Sequence, residues 1–271
     1  MSGRIDRTFA ALRERGEAAF VPFITFGDPN PSQSLAMLRE LERSGADLIE
    51  LGIPFSDPMA DGPVLQRAAE RALRAGATLR GALDVVAEFR RGSEVPIILF
   101  GYYNPLFRYG VERIAADAGA AGVDGFLCVD LPPEEADDLE RAGRAEGLEL
   151  IYLLAPTSTP DRRRTVLSRA RGFVYFVSVL GVTGVRTSLP ENLGDLVAIV
   201  RRETRLPIGV GFGISTPEQA GAVAAFADAV IVGSAFARVV DNAAGSDAVE
   251  RVGELAASLK KAIHAVRREA A

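Results

Sequence analysis

Residues 207–218 show the unit from which the chain is built, reading Pro207-Ile208-Gly209-Val210-Gly211-Phe212-Gly213-Ile214-Ser215-Thr216-Pro217-Glu218. The segment 207–211 is typical of a buried strand, and a glycine-rich loop follows it. The last four residues then supply the N-cap and the first-turn proline that open a helix. The helical segment leads to a second apolar run at 229–233. This order predicts a strand, a loop, a helix and a further strand.

The same alternation extends over the rest of the chain. Apolar runs rich in Val, Ile and Phe are separated by segments with helical spacing. We predict eight strands, at 19–25, 48–52, 96–102, 125–129, 149–154, 173–178, 207–211 and 229–233. Because the runs are almost continuously apolar, both faces of each strand are expected to be covered, as in a parallel sheet.

Eight strand–helix units could form an open doubly wound sheet or a closed barrel. Eight parallel strands are the number that closes a barrel, and no linker or change of composition divides the chain. We therefore predict an α/β fold, a single (β/α)₈ TIM barrel domain over residues 1–271. The spacing of Ile5, Phe9 and Leu12 predicts an extra N-terminal helix, and the segment 78–90 predicts an extra helix in the second crossover. In such barrels, reactive groups lie where strands end and the following loops begin.

The composition limits the kinds of partner that we expect. The 271 residues are 48% hydrophobic and 25% charged, with a net charge of −5. This charge argues against nucleic acid or an anionic membrane as a partner, since both require a basic surface. No apolar run reaches the roughly 18–20 residues of a membrane span. The N-terminus lacks the apolar stretch of a signal peptide, so we expect a cytoplasmic protein.

A single cysteine and a single histidine limit the possible chemistry. Cys128 lies in an apolar strand and is expected to be an inert core residue. His264 lies beside the apolar stripe of a C-terminal helix and is not expected to be catalytic. Nucleophile systems that need histidine are thereby excluded, and a metal site is not expected. Acid–base chemistry must come from carboxylates, lysine or tyrosine.

Glu50 is a carboxylate inside the apolar second strand. Such a group is costly to bury unless it is paired or functional. Because side chains alternate along a strand, Glu50 shares its face with Leu48 and Gly52, and it would point toward the barrel mouth if that face is the interior. The alternative is a structural glutamate paired with a buried arginine or with backbone.

Asp61 lies in the loop that follows this strand, within 54–63. Three prolines and a glycine make the loop stiff enough to hold a carboxylate in place. The sequence leaves two readings of Asp61 open, a helix N-cap or a catalytic group.

Three glycine-containing segments follow the last three strands, at 181–184, 209–215 and 233–234. Glycines let backbone N–H groups approach an anion closely, and barrels often bind phosphate with the loops after strands seven and eight. The alternative is that they only form tight turns. Segment 209–215 is not a dinucleotide-binding motif, because Ile214 stands in place of its third glycine.

Seven stretches in chain order resemble the α subunit of tryptophan synthase. They are 20–29, 50–58, 60–63, 102–105, 130–132, 181–184 and 211–215. The resemblance covers nearly the whole chain, and its most specific part is Gly52-Ile53-Pro54-Phe55-Ser56-Asp57-Pro58 with Ala60-Asp61-Gly62-Pro63.

The resemblance implies a lyase that cleaves indole-3-glycerol phosphate to indole and glyceraldehyde 3-phosphate by a retro-aldol reaction. It implies that Glu50 is the general acid–base residue and that Asp61 binds the indole N–H. Thr183 would lie on a mobile loop that closes over the substrate. The other implied substrate contacts are Tyr175, Phe23, Leu99, Tyr102, Leu127 and Phe212. The implied phosphate contacts are Gly184, Gly213, Gly233 and Ser234.

The resemblance also implies a protein partner. Family members work with a β subunit that carries pyridoxal phosphate and receives indole, so we expect an αββα heterotetramer and no cofactor on this chain. The segment 52–58, with Asn104-Pro105 and Pro132, resembles the docking surface. Two alternatives stay open: a free-standing lyase that releases indole without a partner, and a non-catalytic scaffold that only activates its partner.

Overall fold

A computed structural model describes residues 3–177, 190–211, 213–243 and 247–266. In these ranges, eight parallel strands form a closed barrel in which each strand pairs with the next along the chain and β8 pairs with β1. The strands are β1 (Ala19–Thr25), β2 (Ile49–Gly52), β3 (Ile97–Gly101), β4 (Gly125–Cys128), β5 (Glu149–Leu154), β6 (Val174–Val177), β7 (Ile208–Gly211) and β8 (Ala229–Val232). Each lies within one of the predicted runs, and the predicted (β/α)₈ barrel is confirmed.

Helices cover the outside of the barrel. They are α1 (Arg4–Glu14), α2 (Pro31–Arg43), α3 (Pro63–Arg74), α4 (Leu79–Arg90), α5 (Tyr103–Tyr109), α6 (Val111–Ala121), α7 (Asp137–Ala145), α8 (Pro160–Arg169), α9 (Leu193–Glu203), α10 (Pro217–Ala224), α11 (Ser234–Asn242) and α12 (Ala248–His264), with a 3₁₀ turn at Pro133–Glu135. The extra helices predicted before β1 and in the second crossover are α1 and α4. Thr216 caps α10, and its hydroxyl accepts from the N–H of Gln219.

Side chains alternate between two apolar layers. Ile97 and Leu99 of β3 belong to the outer core between strands and helices, whereas Ile98 and Phe100 belong to the inner core of the barrel. This alternation follows from the two-residue period of a strand. The register places Glu50 opposite Phe23 of β1 and Ile98 of β3.

Helix α1 closes the end of the barrel where the strands begin. Its apolar face, Ile5, Phe9 and Leu12, belongs to the inner core. Arg4 pairs with Asp124, which immediately precedes β4. The opposite end, where the strands finish, is left for the loops that carry the candidate site.

Cys128 is buried in the outer core, as predicted. Within the described ranges, each helix is too short or too polar to cross a membrane.

Candidate active site

A cavity opens at the end of the barrel where the strands finish, with about 470 Å³ of empty space when the part open to solvent is included. It brings together seven of the predicted site residues from distant parts of the chain. Its lining is Phe23, Glu50, Asp61, Leu65, Phe100, Tyr175, Gly213, Ile214, Ile231, Gly233 and Ser234. The two carboxylates therefore share one apolar cavity with the glycine segments that follow β7 and β8.

Glu50 is almost completely buried, with an exposed fraction of 1%. Within the described part of the chain, neither carboxyl oxygen has a hydrogen-bond partner. Burial alone raises the pKa of Glu50 to about 8, so the carboxyl carries a proton at neutral pH. The alternative of a structural glutamate paired with arginine or backbone does not fit this environment.

Asp61 is fixed from two sides at the cavity rim. The Tyr102 hydroxyl donates to Asp61 Oδ2 at 3.2 Å and accepts from the Ala60 N–H at 2.9 Å. Gln66 Nε2 donates to the Asp61 carbonyl oxygen at 2.9 Å. The N-cap of α3 is Gly62, so the N-cap reading of Asp61 is not met.

The environment of Asp61 also alters its ionisation. Burial raises the pKa of Asp61 to about 6, and the hydrogen bond from Tyr102 opposes that rise. Asp61 is thus mostly ionised at pH 7, whereas Glu50 is mostly protonated. Two carboxyl groups with pKa values held apart on either side of neutrality are suited to separate acid and charge-stabilising roles.

Aromatic rings form the wall beside Glu50. Phe23 and Phe100 pack edge to face with centroids 5.1 Å apart, and Phe100 lies 6.4 Å from Tyr175. A Cβ at Gly52 would lie 2.4 Å from the Phe23 ring, and one at Gly211 would lie 2.0 Å from the Tyr175 hydroxyl oxygen. Glycine at both positions is therefore needed for these rings to occupy their places.

One predicted contact is corrected by the strand register. Leu99 packs in the outer core and does not reach the cavity; its neighbour Phe100 lines the wall instead. Leu127 does face the barrel interior, but it lies in the inner core and not in the cavity lining. Tyr102 lies at the rim, where it contacts Asp61.

Sequence reasoning missed four apolar lining residues, namely Phe100, Leu65, Ile214 and Ile231. For Phe100 a signal was present in the sequence. Tyr102 was expected in the pocket, and strand alternation places Phe100, two residues earlier, on the same side as Tyr102.

The glycine segments form the far side of the cavity. Gly213 adopts a left-handed backbone with φ +79°. Helix α11 begins at Ser234, directly after Gly233, and the nine-residue helix points its N-terminal end at the cavity. A helix N-terminus with adjacent glycine backbone suits an anionic group such as phosphate.

Three predicted site residues, Thr183, Gly184 and Phe212, lie outside the described residues. His264 lies at the end of α12, where it contacts Glu17 at 3.4 Å.

Comparison with known proteins identifies the family of the chain. Residues 9–264 match the family model described as "Tryptophan synthase alpha chain". The chain belongs to the tryptophan synthase alpha chain family. It is 53% identical over 263 residues to the tryptophan synthase alpha chain of Geotalea uraniireducens, covering 97% of this chain and 98% of the relative. The corresponding protein of Caulobacter vibrioides is 51% identical over 267 residues, with 97% of each chain covered.

Solved structures of the family share the fold. Tryptophan synthase subunit alpha from Legionella pneumophila superposes with a TM-score of 0.91 at 40% identity, covering 98% of this chain and all of that one. A chain of Mycobacterium tuberculosis tryptophan synthase gives a TM-score of 0.89 at 36% identity, with 97% and 99% covered. The family assignment thus rests on sequence and fold together.

Proposed function

We propose that Glu50 and Asp61 divide between them the chemistry of the alpha reaction. The family is a lyase family, and its alpha reaction cleaves indole-3-glycerol phosphate to indole and glyceraldehyde 3-phosphate. The bond that breaks joins C3 of the indole ring to the first carbon of the glycerol chain. That carbon bears the hydroxyl group that becomes the aldehyde. Cleavage requires a proton at C3, and it requires the hydroxyl to lose its proton as it becomes the aldehyde.

Glu50 is suited to both proton transfers. Its carboxyl holds a proton near neutral pH, and its oxygens are unpaired among the described residues. In the proposed sequence Glu50 gives its proton to C3, and the C3–carbon bond then breaks with its electron pair returning to the ring. The hydroxyl proton passes to Glu50, which regains its starting form.

Asp61 is suited to stabilise the charge that this step creates. Protonation at C3 places positive charge on the indole nitrogen, and an ionised carboxylate facing that N–H lowers the energy of the charged species. The pKa of about 6 leaves Asp61 ionised under the conditions in which Glu50 is protonated. Tyr102, which donates to Asp61, orients the carboxylate.

The remaining contacts follow from the shape of the cavity. We propose that the indole ring packs on Phe23, Phe100 and Leu65, and that Tyr175 contacts the substrate beside Glu50. At the other end, Gly213, Gly233 and Ser234 would hold the phosphate with backbone N–H groups and the α11 N-terminus. Thr183, Gly184, Leu127 and Phe212 stay predictions.

The proposal rests on the buried Glu50 carboxyl, which has no hydrogen-bond partner among the described residues and lines the same cavity as Asp61. Burial raises the pKa of Glu50 to about 8 and that of Asp61 only to about 6. The test compares indole-3-glycerol phosphate with the same compound lacking phosphate. We expect indole and glyceraldehyde 3-phosphate in equal amounts from the first and a much lower kcat/KM for the second. Equal kcat/KM for both compounds would contradict the phosphate site, and absence of cleavage would contradict the assigned chemistry.

A β subunit is the partner that membership of this family implies. We propose an αββα heterotetramer in the cytoplasm, with pyridoxal phosphate on the β subunit and no cofactor on this chain. The docking surface would include 52–58, Asn104-Pro105 and Pro132. Two large hydrophobic side chains nearby in sequence, Met59 and Phe107, are exposed by 84% and 62%.

The partner proposal is tested by mixing the chain with a β subunit of this family. We expect a complex with the mass of two copies of each chain and a rise in the rate of cleavage. High turnover of the chain alone with no change on mixing would instead favour a free-standing lyase. If a Glu50→Gln variant activates the partner and its turnover equals that of wild type, Glu50 has no catalytic role and the scaffold alternative is favoured.

A further inference from the structure

Four charged residues from the loop after β1, α3 and α11 form a compact cluster, which we call the Arg71 clamp: Asp28, Arg67, Arg71 and Asp241. Arg71 on α3 donates through Nε and Nη2 to the two carboxylate oxygens of Asp28, each at 2.8 Å. Its Nη1 donates to Asp241 on α11 at 2.5 Å. Arg67, one helical turn earlier, donates to the other Asp241 oxygen at 2.9 Å. One guanidinium thus joins the loop after β1 to both helices.

The Asp28 side of the clamp is rigid. The Asp28 side chain is 3% exposed, and the paired, bidentate geometry is the strongest form of an arginine–carboxylate contact. Burial raises the pKa of Asp28, and the hydrogen bond from Arg71 works against that rise. Arg71 is therefore held in a fixed orientation, from which it presents Nη1 to Asp241.

The position of Asp241 is unusual for an acidic residue. It lies in the last turn of α11, where the helix dipole disfavours negative charge. The two arginines of α3 compensate for that placement and tie the end of α11 to α3, against which α11 packs. The exposed pair Glu70–Arg74 lies on the same helix α3 and makes no such link between elements.

Each joined helix carries one end of the candidate site. Helix α3 begins two residues after Asp61, and its Gln66 holds the Asp61 carbonyl oxygen. Helix α11 begins at Ser234 beside Gly233. From this connection, and resting on the function proposed above, we infer that the Arg71 clamp is a positioning device that sets the separation between the indole-binding Asp61 and the phosphate-binding start of α11.

A device that sets a separation has a distinctive effect on binding. Indole needs only the Asp61 end and inorganic phosphate needs only the α11 end, so neither fragment depends on how far apart the two ends are. The intact substrate must reach both ends at once and gains from their fixed spacing. Loosening the clamp should therefore weaken the substrate and leave the fragments unaffected.

Asp241→Asn is the appropriate variant, because it releases α11 and leaves the buried Asp28–Arg71 pair intact. In the complex with the β subunit, we expect kcat/KM for indole-3-glycerol phosphate to fall about tenfold, chiefly through KM. Inhibition constants for inorganic phosphate and for indole should stay within about twofold of wild type. Asp241→Glu, which keeps the charge, should restore most of the loss, and the control Arg74→Gln should match wild type.

Three results would overturn the inference. The first is unchanged kinetics of Asp241→Asn with the intact substrate. The second is an inhibition constant for inorganic phosphate that rises in Asp241→Asn by the same factor as KM. The contact between Asp241 and the arginines would then only support the phosphate site and would not set a separation. The third is that inorganic phosphate and indole do not inhibit the wild-type protein competitively. That last failure appears before any variant is made, and it would refute the proposed function as well.

Discussion

The unfolding free energy of a Glu50→Gln variant, relative to that of wild type, should increase progressively as the pH rises. Folding raises the pKa of the Glu50 carboxyl from 4.5 to about 8. Between these values the unfolded chain releases the proton and the folded chain keeps it, so a rising pH favours the unfolded state. By linkage the cost to wild-type stability is about 3 kcal/mol at pH 7 and about 5 kcal/mol well above pH 8.

Glutamine removes this pH-dependent cost because it does not ionise. Its amide would be as poorly paired among the described residues as the protonated carboxyl is, so any difference between the two in the cost of burial is the same at each pH. The informative quantity is therefore the change with pH in the difference between the two proteins. Between pH 5 and pH 8.5 we expect the variant to gain about 4 kcal/mol of unfolding free energy relative to wild type.

Urea titrations at several pH values measure this quantity. Glu112→Gln is a matched control, since the Glu112 side chain is 79% exposed, and it should show little change with pH relative to wild type. A difference between Glu50→Gln and wild type that stays constant from pH 5 to 8.5 would refute the claim that Glu50 is buried and protonated. An unfolding free energy of wild type that increases relative to the variant as the pH rises would refute the claim more strongly.

The remaining predictions concern activity. The pH profile of kcat/KM should be bell-shaped, rising through about pH 6 as Asp61 ionises and falling through about pH 8 as Glu50 loses its proton. Asp61→Asn should lower kcat about 10²- to 10³-fold, with the fold preserved as judged by circular dichroism. It should also remove the rise of the kcat/KM profile near pH 6. If that rise persists in the variant, it belongs to a group other than Asp61. Gly211→Ala should displace Tyr175, whose hydroxyl oxygen would lie 2.0 Å from the new methyl group, and should lower kcat. Gly92→Ala, with open space around its Cβ, should match wild type in the same assay.

The strand positions could be predicted from the sequence because parallel strands covered on both faces are continuously apolar. The eight runs fell on eight strands for that reason. The family resemblance implied Leu99 as a pocket residue, but Leu99 packs in the outer core and Phe100 lines the pocket, as the alternation with Tyr102 along the run 96–102 would have indicated.

The role of Asp61 needed three-dimensional information. A stiff loop before a proline is compatible with an N-cap or with a catalytic carboxylate, and only the structure places the cap at Gly62. The hydrogen bond from Tyr102 joins residues 41 positions apart. Glu50 was different, because a carboxylate within an apolar strand is conspicuous in the sequence itself. What the sequence could not give was the absence of a partner for its oxygens among the described residues.

We propose that Glu50 moves the protons of the cleavage reaction. This role is tested by the rate at which Glu50→Gln converts indole-3-glycerol phosphate to indole and glyceraldehyde 3-phosphate, measured together with the affinity for the substrate. We predict that turnover falls at least about 10²-fold while substrate affinity changes little. Turnover close to wild type in a variant that binds substrate normally would contradict the claim.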